Sequence, residues 1–120
     1  MTVEKQIFDA LRALVADRVY PDFAPEGAAR PYITYQQLGG FPVNFMDAAE
    51  PSQRNARFRV NAWTDTRAQA AATAVLIERA LRAAPALQTT VATNAVALAD
   101  PETRLRGTSQ DFSFWTPSDS

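Results

Sequence analysis

"RFRVNAWTDT", residues 57–66, carries the clearest period in the chain. In an extended backbone Phe58, Val60 and Ala62 fall on one side, and Arg57, Arg59, Asn61 and Trp63 on the other. An alternation of period two with one dry face predicts a strand over 56–63 whose other face stays open. Thr66 followed by Gln69 matches a capping box, with Asp65 as an alternative cap, so a helix starts directly after the strand. It runs to about Ala84, where Pro85 ends it. Ala68, Ala71, Ala72, Ala80 and Ala83 with Val75, Leu76 and Ile77 form a broad stripe of mostly small residues, and core packing is the expected use of it.

The segments on either side fit the same plan. Residues 3–16 read as an amphipathic helix: Ile7, Leu11, Leu14 and Val15 recur at helical spacing, with Val3 and Phe8 beside them and Thr2 as N-cap. Val19-Tyr20 is a short extended piece, and 21–30 an irregular loop. "PYITYQQL", 31–38, is rich in aromatic and β-branched residues and reads as a strand that Gly39-Gly40 breaks. The following segment, 41–53, has no period yet holds Phe41, Val43, Phe45 and Met46, so it either folds over the core or docks on a partner. Downstream, 87–93 alternates as a strand, Asp100-Pro101-Glu102-Thr103 has turn chemistry, and 105–116 alternates again. The expectation is a single α+β domain over 1–116 with a frayed tail at 117–120. Its sheet is small, mainly antiparallel and of three to four strands, with two α-helices packed on one face.

Composition restricts the chemistry. The 120 residues suit one domain, and 12 basic against 13 acidic residues leave a net charge of -1, which argues against a binder that relies on bulk positive charge. With no cysteine and no histidine, thiolate nucleophiles, disulfides, the usual general base and the common zinc ligands are excluded. The only lysine, Lys5, lies on a solvated helix face. Asp47, Glu50, Asp100, Glu102 and Asp111 lack ligand spacing and read as solvated acids. No catalytic, cofactor-binding or metal site is expected. Neither a signal peptide nor a membrane-spanning stretch is visible, which points to a cytoplasmic protein with no membrane partner.

Two readings remain for the polar strand face. Arg54, Arg57 and Arg59 cluster near aromatic residues, as in single-strand nucleic-acid binders, so a small nucleic-acid-binding or regulatory domain using Arg57 and Arg59 is the alternative. The other reading is association. Trp63 and Trp115 fall on the polar sides of their strands, and tryptophan, tyrosine and arginine are enriched in protein interfaces.

"RPYITYQQLGG", "RNARFRVNAWTDTRAQAAATAVLIERAL" and "DPETRLRGTSQDFSFWT", in that order, resemble the small tail-completion proteins of long-tailed bacteriophages and prophages. These are also called tail terminators, head–tail joining proteins or minor tail proteins. The resemblance spans nearly the whole chain. It implies a structural virion assembly protein, not an enzyme, that works without a cofactor. The implied assembly is a hexameric ring of copies, each a possible monomer when free. It caps the tail tube, stops tube growth and meets the head connector, while DNA passes through the hole without sequence-specific binding. Assembly takes place in the host cytoplasm, and the protein then stays in the virion tail. The expected contact residues are Phe41, Val43, Phe45, Met46, Arg54, Arg57, Arg59, Trp63 and Trp115, and changing Arg57 and Arg59 to serine is expected to leave the fold intact.

Overall fold

A computed structural model describes residues 2–44, 46 and 51–117. Helix α1 (Val3–Leu11) is followed by a 3-10 turn (Arg12–Leu14) and strands β1 (Val19–Pro21), β2 (Tyr32–Gln37) and β3 (Gln53–Thr64). Helix α2 (Arg67–Ala83) precedes the short strands β4 (Thr90–Val91) and β5 (Val96–Ala99) and the long closing strand β6 (Arg106–Pro117). The class is α+β, but the sheet has six strands and is mixed, in the order β1-β2-β3-β6-β4. β1 pairs parallel to β2; every other pair is antiparallel. β4 and β5 share the same edge of β6, opposite Phe112–Ser113 and Arg106–Ser109 respectively.

The differences from the sequence expectation have local causes. The first helix stops at Leu11, because Ala16 and Asp17 take left-handed φ values of 50° and 68° and turn the chain back toward β1. The expected strand 87–93 shrinks to two residues: Gln88 is left-handed at φ 45°, and buried Leu87 instead accepts a hydrogen bond from the Trp115 N–H at 3.0 Å. β5 went unpredicted because "VALA" is too short and too uniform to show a period. β3 starts three residues earlier than expected, so Arg54 lies within it. The caps hold as read: Thr2 Oγ1 accepts from the Lys5 N–H and Thr66 Oγ1 from the Gln69 N–H, both at 3.1 Å.

Strand alternation sends the even residues of β3 and β6 to one side. Ala56, Phe58, Val60 and Ala62 meet Phe112 and Phe114 there, together with Ile33 and Tyr35 of β2. Ile7, Leu11 and Val15 from the first helical segment and Ile77 and Leu81 from α2 complete the same cluster. Tyr35, Phe58, Phe114 and Phe112 form a chain of ring contacts with centroids 5.9–6.3 Å apart. The alanine stripe expected on α2 is displaced. The buried line is Ala70, Ala74, Ile77 and Leu81, whereas Ala68, Ala71, Ala72, Val75, Leu76 and Ala83 are exposed. A helix this rich in alanine offers nearly equivalent stripes, and the two large residues spaced four apart choose among them.

β3 and β6 pair along twelve residues each, but β2 covers only Phe58–Trp63 of β3. The remaining ladder projects past β2, and the molecule is 53 Å long against 25 and 23 Å in its other dimensions. The segment after β2 folds back on this projection: Leu38 N–H donates to Arg57 O, Arg57 N–H to Gly39 O, and Phe41 N–H to Asn55 Oδ1 at 2.7–2.9 Å. Gly39 at φ 99° and Gly40 make this approach possible, since a Cβ on Gly40 would run into the Asn55 carbonyl and Ala56 Cα. Gly40→Ala is therefore expected to destabilise the protein by about 1–3 kcal/mol, measured by urea unfolding. Gly27→Ala, where a Cβ meets nothing within 4 Å and only the positive φ of 78° resists, is the milder control.

Candidate functional site

The helices cover one face of the sheet, and the odd residues of β3 and β6 line the other. Across the central pair, Asn55 stands opposite Trp115, Arg57 opposite Ser113, Arg59 opposite Asp111, Asn61 opposite Ser109 and Trp63 opposite Gly107. At the middle sits Asp111, whose side chain is only 9% exposed. Arg59 grips it with two bonds, Nε to Oδ1 at 2.9 Å and a terminal nitrogen to Oδ2 at 3.3 Å, and Arg57 approaches Oδ2 at 3.6 Å. Both arginine side chains remain nearly half exposed. The hydrogen bond to Asp111, reinforced by its charge, raises the pKa of the Arg59 guanidinium. The carboxylate thus fixes two cations in place and cancels part of their charge.

Around this centre the face is polar and aromatic. Asn55 donates from Nδ2 to Ser113 Oγ at 2.6 Å and to Phe114 O at 3.1 Å, while its Oδ1 holds Phe41. Trp63 lies against Gly107, where an added Cβ would collide with the indole ring and the Ala62 carbonyl. Tyr20 and Tyr32 make an edge contact at 6.2 Å, and burial, followed by the charge of Asp100, raises the Tyr32 hydroxyl pKa, with Arg30 opposing. Tyr32, Asn61, Trp63, Asp22, Phe23 and Asp100 surround a cleft of about 400 Å³ at this end. Phe23 on its rim is 87% exposed.

Arg57, Arg59, Trp63 and Trp115 therefore share one surface. Trp63 and Trp115 stand at its two ends, on β3 and opposite Asn55 respectively, roughly 27 Å apart along the ladder. Arg54 does not join them. Its even position turns it to the opposite side of β3, opposite Thr116. Phe41 (70% exposed) and Met46 are exposed on the loop and Val43 is half-buried; Phe45 lies outside the described residues. Asp111 is the residue that sequence reasoning misplaced: it is buried in a strand, not a solvated acid. Its signal was present, because matching the apolar faces of "RFRV" and "QDFSF" sets Arg59 beside Asp111. Among the described residues no cluster of three or more acids could hold a metal ion, and no helix is long and apolar enough to cross a membrane.

The buried carboxylate changes one expectation. Arg57→Ser with Arg59→Ser strips Asp111 of both partners, so the double variant is expected to unfold several degrees below the parent, and Arg57→Ser/Arg59→Ser/Asp111→Asn to recover most of the loss. Differential scanning calorimetry checks both. In the same experiment Gly107→Ala, which displaces Trp63, is expected to cost about 1–3 kcal/mol.

Comparison with known proteins accounts for this architecture. No curated protein matches the chain. Among solved structures, a chain from "Virion of native gene transfer agent (GTA) particle" superposes at a TM-score of 0.61 with 21% identity, covering 97% of this chain and 95% of that one. A second solved chain superposes at 0.56 with 16% identity, covering 96% and 89%. Both likenesses concern the fold. The family model for tail completion protein gp17 matches residues 8–117, from the first helix through the last residue of β6, and this chain belongs to that family.

Proposed function

We propose that the protein caps the tail tube as a hexameric ring, ends tube polymerisation and joins the tail to the head connector. Membership of the tail completion family supports a structural role in the virion tail. The observation that carries the finer reading is the open sheet face. It has a tryptophan at each end, among the described residues the helices pack on the other face, and a buried aspartate pre-sets its arginines. Groups fixed before contact lose less freedom on binding, which suits a surface meant to meet protein.

In this reading Arg57, Arg59, Trp63 and Trp115 meet neighbouring subunits, the tube or the connector, or line the hole through which DNA passes. The loop residues Phe41, Val43, Phe45 and Met46, with Arg54, supply a second contact region. The ring assembles in the host cytoplasm and remains in the virion; in dilute solution the free subunit is a monomer, and copies close into a ring when brought together, as on a tube end. Catalysis has no part in it. Asp111 also weakens the nucleic-acid alternative, since it offsets the positive charge that backbone phosphates would need.

The test is complementation in a particle-producing genome that lacks its own copy of the gene. Arg57→Gln/Arg59→Gln/Asp111→Asn preserves a neutral polar ladder while removing the charges. It is expected to fold, yet to lower the yield of joined particles about tenfold or more, with free heads and free or overlong tails in electron micrographs. Joined particles at the parental level would refute the role of this face, and normal particles from the gene-less genome would refute the tail function itself.

A further inference from the structure

We propose that Phe41 of one copy inserts into the cleft between α2 and β5 of the next copy, making the head-to-tail contact of the assembly. This rests on the ring reading above and specifies what holds one copy to another. The cleft has a volume of about 290 Å³ and is walled by Ala71, Ala74 and Val75 of α2 and by Ala95 and Ala97 beside and within β5. A cavity of about 150 Å³ is enough to hold benzene, so one phenyl ring fits with space for a neighbouring aliphatic group. Val75 on its margin is 50% exposed. Gln110 at its floor is already engaged: its Nε2 donates to Glu78 Oε1 at 3.1 Å and to Thr93 O at 3.0 Å. The cleft therefore favours an apolar occupant.

Phe41 is a fitting occupant, because it is 70% exposed at the base of the projecting loop and its backbone is anchored to Asn55. It cannot fill its own cleft. Asn55 is opposite Trp115 on the open face, whereas the cleft reaches β6 at Gln110 and Thr108 on the helix face, about 17 to 24 Å back along the strand. A knob and a hole at separate places on one chain give a heterologous contact that repeats and can close. Charge sets the direction of insertion. Arg54 borders the same hollow as Phe41, and the cleft has Glu78 at one end and Arg67 three helical turns away at the other. Insertion with Arg54 toward Glu78 pairs opposite charges and keeps Arg54 away from Arg67. The sheet edge alongside is also unprotected. Residues 89–99 contain no charge and no proline, whereas the β1 edge ends in Pro21.

The chain has no cysteine, so introduced thiols report the contact without background. Phe41→Cys/Ala71→Cys, both at exposed positions, is oxidised at high concentration and run on a non-reducing gel. The expected result is a ladder of disulfide-linked dimers, trimers and larger species built from the 13.2 kDa chain, several-fold stronger than with Phe41→Cys/Ala29→Cys. Ala29 is exposed in the loop between β1 and β2, outside the cleft. A ladder no stronger than the control, or one that stops at dimers, overturns the proposal and assigns the cleft to another partner. The outcome is separable from the tail function. Rings on tails without the ladder would defeat only this contact, whereas a ladder from a protein that tails do not need would leave the contact standing and defeat the function.

Discussion

Twelve consecutive residue pairs join β3 to β6, from Gln53 opposite Pro117 to Thr64 opposite Arg106. This register sets both faces of the sheet at once. On the helix side it sets Phe58 opposite Phe112 and Ala56 opposite Phe114; on the other it brings Arg59 to Asp111. A slip of one residue would turn Arg57 and Arg59 into the helices and Phe58 into water, so hydrophobic burial and ion pairing enforce the same alignment. Each supports the other: the apolar face supplies the larger free energy, and the arginine–aspartate group adds directionality that dispersion lacks.

The same ladder explains the shape. β2 is half as long as the pair it joins, and β4 and β5 are shorter still. The far end of the β3–β6 ladder therefore stands beyond the two-layer core, and Asn55 holds the segment after β2 against it through Phe41. The result is a body with a projecting end, an open polar face and an apolar cleft behind β5. These three surfaces point in different directions. The chain belongs to the tail completion family.

Much of this was legible in the amino-acid order because it depends on neighbours in the chain. The alternation in "RFRVNAW", the caps at Thr2 and Thr66, and the Pro85 stop are local effects, and all of them appear in the structure. So is the α+β class, and so is the placing of Arg57, Arg59 and Trp63 on the side away from the core. The family resemblance, carried by three ordered motifs, also held.

What stayed hidden depends on residues far apart in the chain. The burial of Asp111 follows from a partner 52 positions away, and as an isolated acid it is indistinguishable from a solvated one. Arg54 and Arg57 are close in sequence yet on opposite faces, once β3 is found to begin at Gln53. α2 could have turned any of several alanine stripes inward, until the sheet selected Ala70, Ala74, Ile77 and Leu81. β5 carries too few residues to show a period, and it exists because the longer β6 offers it unpaired backbone groups. Period and capping are properties of a segment and can be read along it; burial, edges and clefts arise only when segments meet, since each is defined by what another part of the chain covers or leaves bare.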